Sequence, residues 1–305
     1  MYCALDQAEI LKRFVPHAGH AQVPVAPGYF VDYFGVRVPI SCFPHIKHLD
    51  GQRTDQPPFP DDRMRAGFIE YLALVDSVDA AQASYAMAEV GASYAPFTAI
   101  AGRLALRKGL RQVVLCPVEA AANGRRSIQT NLEANALDDP RVTVHILEAA
   151  VVDVAKTVYF PDVDCTRDNG AAAQNNQSER DIRGANLPMR AVRGIPLTEV
   201  IDKFPADKPV DLMHVDIQGA EKNAFSTAMQ VLNQRVKRVF VATHSREIEG
   251  VLMALFHSHG WELVAEEPCE FKYRRELDHL EGMTFKDGCQ YWVNPRMAQT
   301  VGAAV

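Results

Sequence analysis

From Ser84 onward the chain alternates short apolar runs with helical patterns, and this alternation constrains the fold more than any other feature. The runs are YAMAEVG, QVVLCPVEA, VTVHILEAA, VDLMHVDIQG, VKRVFVATHS, WELVAEE and CQYWVN. Several are almost continuously apolar, as strands buried on both faces must be. Between them, Ala220, Ala224, Phe225, Ala228, Met229 and Leu232 share one helical face. Ile248, Val251, Leu252 and Phe256 share another. Strands and helices in alternation make βαβ units. The expected fold is α/β: a mostly parallel seven-stranded sheet with helices on both faces. No long helical pattern separates the last runs, so an antiparallel strand is expected to close that edge.

The first part of the chain has a different character. Residues 1–80 contain an amphipathic start, a Pro/Gly/aromatic stretch, a loop bearing His45 and His48, and a Pro-rich loop. A helical pattern from about Arg63 to Val78 follows, with Phe68, Leu72 and Val75 on one face. This region is expected to form a small N-terminal cap on a catalytic domain spanning 81–305. Within that domain, residues 162–190 lose apolar content. A structureless stretch of this length inside a compact domain is a lid or an insertion. The lid reading places it, with the His45/His48 loop, over the acceptor side of the site.

Ligands of open parallel sheets bind outside the carboxyl ends of the strands. Five successive runs here end in Glu89, Glu119, Glu148, Asp216 and His244. Any one of these could merely leave the core for water or cap the next helix. Five in register point to a site. The first turn, Glu89-Val90-Gly91-Ala92-Ser93-Tyr94-Ala95-Pro96, is a degenerate glycine-rich turn. Gly91 permits a close backbone approach, while Ser93 and Ala95 stand where glycines are expected. Glu119, at the end of the second run, occupies the position that accepts hydrogen bonds from ribose hydroxyls in nucleoside-binding sheets. A carboxylate at Glu89 repels a pyrophosphate but suits a cofactor carrying an ammonium and a sulfonium. The cofactor predicted is therefore S-adenosyl-L-methionine, held by Glu89, Gly91, Ala92, Ser93, Glu119, Ala120, Glu148, Ala149 and Asp216.

The segment Val210–Glu221, VDLMHVDIQGAE, resembles the FkbM-type methyltransferase family in its apolar strand, Asp, variable pair, Gly-Ala-Glu and following helix. EVGASYAPFT, VEAAANGRRSIQTNLEANAL, VKRVFVATHSREIEG and KDGCQYWVNPR match further family segments in the same order, over roughly two thirds of the chain. The turn departs from the family pattern at Ser93 and Ala95. The resemblance implies a Rossmann-like methyltransferase fold. It also implies transfer of a methyl group to an oxygen of a sugar, polysaccharide or natural product.

Such a transfer needs the acceptor oxygen positioned and its proton removed. His244 is the expected general base because histidine titrates near neutral pH. Asp216, at the neighbouring strand end, is expected to orient His244 or the hydroxyl. His214 and Glu221 lie behind them, and His214, inside an apolar run, reads as a hydrogen-bonded core residue. A divalent metal on Asp216 and His244 is the less favoured alternative, since no compact ligand motif supports it.

Other functions fit less well. An NAD-dependent oxidoreductase lacks its glycines here and has Glu89 in the wrong place for a pyrophosphate. A non-catalytic module, nucleoside-binding or partner-binding, is the further alternative, a partner-binding one being separated by the absence of an adenosylmethionine-dependent thermal shift. Asp55-Gln56-Pro57-Pro58-Phe59 mimics the motif of nucleic-acid amino-methyltransferases, but a Gln intervenes and no apolar strand precedes it. The net charge of −6 also argues against a nucleic-acid partner. The six cysteines show no C-x-x-C spacing, and no stretch suits a signal peptide or membrane span. A cytoplasmic enzyme is expected, acting on a small-molecule or saccharide acceptor, with no membrane partner; a homo-oligomer is compatible with the sequence.

Overall fold

The computed structural model describes residues 1–298; the last seven residues of the domain predicted to reach 305 lie outside it. All seven apolar runs are strands: β1 (Ser84–Val90), β2 (Gln112–Glu119), β3 (Val142–Val144), β4 (Leu212–Val215), β5 (Arg238–Thr243), β6 (Glu262–Glu267) and β7 (Gly288–Val293). They form one sheet in the order β6-β7-β5-β4-β1-β2-β3, parallel except for β7. This is the expected Rossmann-like methyltransferase fold. The antiparallel strand corrects the expectation in one respect: β7 does not close the edge but inserts between β5 and β6. The chain from β6 returns without a helical crossover, so its next strand must run in the opposite direction. Tyr2–Cys3 pairs with β6 and Leu147–Glu148 with β2, bringing the sheet to nine strands.

Strand alternation divides the core in two. Tyr85 and Met87 of β1 enter one apolar cluster, while Ala86, Ala88 and Val90 enter the other. The first cluster is covered by α1 (Gln7–Phe14), α2 (Phe68–Ala80), α3 (Pro96–Arg107) and α4 (Gly124–Ala134). The second is covered by α5 (Leu197–Ile201), α6 (Glu221–Arg235) and α7 (Arg246–Ser258). Helix α2 is buried around its circumference rather than on one face, from Phe68 through Val78 with the exception of Glu70. Fully burying each Leu, Ile or Phe contributes about 1.5–3 kcal/mol, so packing onto β4, β5 and β7 holds this helix in place. The N-terminal region is therefore not a detachable cap. It supplies an edge strand and a core helix, and only its middle section forms a satellite cluster, around Phe30, Phe43 and Tyr94.

Between β3 and β4 the chain builds a small sheet from Ala150–Val151, Lys156–Pro161 and Met189–Ile195. The polar tract from residue 162 is the long connection between its two antiparallel strands. No helix among the described residues is long and apolar enough to cross a membrane.

Candidate active site

A cavity of about 790 Å³ opens at the carboxyl ends of the parallel strands, within the usual range for small-molecule sites. Glu89, Gly91, Ala92, Ser93, Glu119, Ala120, Ala149 and Asp216 all line it. Glu148 does not. Its side chain is 60% exposed and pairs with Arg125 at 3.2 Å on the surface. The alternation of the short Leu147–Glu148 strand turns it away from the cavity that Ala149 faces, so the cofactor role expected of Glu148 is corrected.

The β1 turn is shaped by its backbone. Gly91 has φ +80°, and a Cβ there would lie 1.6 Å from the carbonyl oxygen of Asp216, so no side chain is compatible with this crossing of β1 and β4. Ser93 and Ala95 adopt φ +50° and +59°, the left-handed region that favours glycine. The surroundings hold them there. Buried Asn131 of α4 donates to the carbonyls of Tyr94 and Ala95 at 3.0 and 3.1 Å. The Ser93 amide donates to Glu119 Oε2 at 2.6 Å, and its hydroxyl donates to the carbonyl of Cys165 at 2.9 Å.

Glu119 also accepts from the Ala121 amide at 2.6 Å and is buried. Gly124 leaves room for it, since a Cβ there would lie 2.2 Å from Glu119 Cγ. Burial pushes the Glu119 carboxyl upward, against the pull of these amides. A carboxylate offers about four acceptor sites, so two amide bonds leave capacity for a pair of hydroxyls. Glu89 is placed differently from the ammonium contact expected of it. Its carboxylate accepts from the amides of Phe97 and Thr98 at 3.2 and 2.5 Å and from the Thr98 hydroxyl. It caps α3 beneath the turn, and burial pushes it up to about 7.

The two residues expected to do the chemistry do meet. His244 Nε2 lies 3.3 Å from Asp216 Oδ1. However, His244 is buried and does not line the cavity, whereas Asp216, 36% exposed, does. His244 Nδ1 is bound to fully buried Glu221 at 2.8 Å, and Asp287 stands 3.7 Å from Nε2. Glu221 in turn accepts from the Gly219 amide at 3.0 Å and the Ile217 amide at 3.3 Å. Burial opposes the charge on His244, but Glu221 and Asp216 outweigh it and hold the ring well above its ordinary value. Buried, away from the cavity and facing a carboxylate at each nitrogen, with no hydrogen-bond partner at Nε2, His244 is not placed to take a proton from an acceptor, so the general-base role is corrected. His244 supports Asp216, whose own burial is outweighed by the imidazolium that keeps it charged. Among the described residues no group of three or more His, Cys, Asp or Glu is arranged to hold a metal ion.

Sequence reasoning missed a second pair in the same wall. Strand register aligns Glu89, His214 and Phe240 in one row across β1, β4 and β5. The His214 ring is stacked between Phe97 and Phe240, with centroids 4.6 and 4.9 Å away. Its Nε2 meets Glu70 Oε1 at 2.5 Å, and its buried Nδ1 has no hydrogen-bond partner. His214 and Glu70 both line the cavity. The available signal was Glu70 itself, the one carboxylate in the first two turns of α2, whose residues 68–75 are otherwise apolar or aromatic.

Two segments close the cavity. Cys165, Asp168 and Asn169 of the polar tract line it on the Glu119 side, and Asn123 ties the tract down by accepting from the Cys165 amide and donating to Asp164. The opposite side is closed by residues 59–70, where Arg65 pairs with Asp62 and Asp32, both at 3.1 Å. His45 and His48 are exposed and line nothing. The acceptor-side cover expected from this loop and the polar tract comes instead from the loop leading into α2, whose helix is anchored in the core, while the tract lies beside Ser93 and Glu119.

No family model matches the chain. It is 27% identical over 274 residues, 85% of its length and 89% of the other's, to a protein of Jannaschia sp. (strain CCS1) named "Putative methyltransferase". Among solved structures it is similar to methyltransferase FkbM from Methylobacillus flagellatus KT, with 15% identity and a TM-score of 0.40, covering 70% of this chain and 45% of that one. It is likewise similar to the C-terminal domain of precorrin-6Y C5,15-methyltransferase from Rhodobacter capsulatus, with 12% identity and a TM-score of 0.40, covering 76% of this chain and 91% of that one. Neither structure is near enough to inform on the site. The chain is thus homologous to a methyltransferase-named protein over most of its length.

Proposed function

We propose that this protein transfers a methyl group from S-adenosylmethionine to a hydroxyl of a sugar, polysaccharide or natural product. One observation carries the reading. A single cavity joins a glycine-hinged turn and a ribose-ready carboxylate at β1 and β2 to a set of buried histidine–carboxylate pairs at β4 and β5. The residues fit the cofactor: the backbone cradle at Gly91–Ser93 admits no bulk, and Glu119 is set beside it with Gly124 making room. Glu119 would hold the ribose, and the Gly91–Ala92 backbone the amino-acid end. When bound, the cofactor supplies a methyl group activated by a positively charged sulfur. The chain's own residues would orient the acceptor, exclude water beneath residues 59–70 and the 162–188 tract, and receive the proton. The homology to the Jannaschia protein supports methyl transfer, and the FkbM-type motifs support oxygen as the acceptor atom.

The test is methyl-labelled S-adenosylmethionine offered with a panel of mono- and oligosaccharides and of hydroxylated natural products, read by mass spectrometry. Label on a hydroxyl oxygen is the expected result. Label on nitrogen or carbon, or cofactor binding without transfer to any member, would count against it.

A further inference from the structure

The acceptor half of the cavity presents two carboxylates, each braced from behind by a buried histidine. Asp216 rests on His244, which rests on Glu221. Glu70 rests on His214, which is clamped between two phenylalanines. In both pairs the carboxylate is the more exposed member. Glu70 and Asp216 are 15% and 36% exposed, and His214 and His244 are 4% and 3%. His244 does not line the cavity and is reached through Asp216, while His214 lines it beside Glu70. Glu70 uses one oxygen on His214, and among the described residues no donor meets the other. The two pairs come from different elements, α2 with β4 and β4 with β5, yet they face one cavity.

We propose that Glu70 is the proton acceptor of the transfer, that Asp216 holds a second hydroxyl of the same molecule, and that the acceptor is therefore a polyol with two neighbouring donors. This rests on the methyl-transfer reading above. The acceptor oxygen gains the methyl group as the sulfonium becomes a thioether. Its proton passes to the free Glu70 oxygen, while the other Glu70 oxygen keeps its contact with His214 Nε2. Asp216 stays ionised and accepts from the adjacent hydroxyl. The environments of the two carboxylates separate their roles. The imidazolium of His244 holds Asp216 below the usual carboxylate range, while burial pushes Glu70 above it despite His214. The group with the higher value is the better base near neutral pH. A polyol fits this arrangement because a single hydroxyl satisfies one carboxylate and leaves the other without a donor.

Histidine side-chain NMR tests the proposal on the intact protein, free and loaded with S-adenosylhomocysteine. The probes are trans-1,2-cyclohexanediol and cyclohexanol at equal concentrations. The diol should shift the ring signals of both His214 and His244, and the mono-alcohol should not shift both. A diol that moves only one ring or neither, or a mono-alcohol that moves both equally, overturns the proposal. Failure of S-adenosylhomocysteine to bind would instead strike the methyl-transfer reading, and the diol result on the free protein would still stand. With a sugar acceptor, Glu70→Gln should lower kcat by about 10²–10⁴-fold with little change in KM. It should also remove one ionisation from the pH–rate profile, and Asp216→Asn should mainly raise KM. His214→Phe, which preserves the aromatic stack, should reproduce part of the Glu70→Gln loss. Full activity of Glu70→Gln would overturn the assignment.

Discussion

The two ends of the cavity are built from different materials. At β1 and β2 the walls are backbone: a glycine turn, two left-handed residues and amides converging on Glu119. At β4 and β5 they are side chains stacked in depth, with His244 between two carboxylates and His214 between two phenylalanines beside Glu70. A backbone cradle is suited to a ligand that is always the same, since backbone geometry changes little with sequence. Layered side chains are suited to a reaction, because their proton affinities depend on neighbours. The contrast sets two kinds of wall on separate strand pairs of one sheet, meeting where Gly91 presses against Asp216, and under the proposed function it separates binding from chemistry.

Substitution at that meeting point should have the largest effect. Gly91→Ala combines a left-handed φ with an overlap against the Asp216 carbonyl, and strain plus overpacking should cost about 3 kcal/mol or more. Denaturant unfolding checks this. A loss below about 1 kcal/mol would mean that the two ends are less rigidly joined than the crossing implies.

Next comes His244→Ala, which strands Glu221 as a buried charge and should cost about 3–5 kcal/mol. The sign of its pH dependence follows from the raised folded value of His244. Its contribution is fully present below the unfolded pKa of about 6.5 and is lost as pH rises through the higher folded value. The deficit of the variant should therefore shrink at alkaline pH. A deficit that grows with pH would contradict a charged His244 and restore it as a candidate base.

The smallest effect belongs to Glu148→Ala. An exposed ion pair with Arg125 contributes about 0–1 kcal/mol, and the variant should retain stability and cofactor affinity. A tenfold loss of affinity would return Glu148 to the site.

The sequence foretold more at one end than at the other. The strand ends, the Gly91 turn and Glu119 were legible because each depends on local residues at a fixed spacing. The left-handed backbone at Ser93 and Ala95 was not, because it is imposed by Asn131 from another helix. His244 and Asp216 were rightly placed together, since adjacent parallel strands put their ends side by side. The direction of support between them was not legible, because it depends on the burial of Glu221 and on which side chain reaches the cavity. Glu70 and His214 are 144 positions apart, and no pattern within either segment announces that partner. The place of β7 was likewise a matter of topology rather than of its own residues.

The measurement closest to the central claim is calorimetry with S-adenosylhomocysteine on the wild type, Glu119→Ala and His214→Phe. The division of the cavity predicts one equivalent bound by the wild type. It predicts a loss of about 1–3 kcal/mol in Glu119→Ala, where two buried amides and the ribose hydroxyls lose their acceptor, and unchanged affinity in His214→Phe. No binding by the wild type, or affinity that survives Glu119→Ala but falls in His214→Phe, would contradict the account.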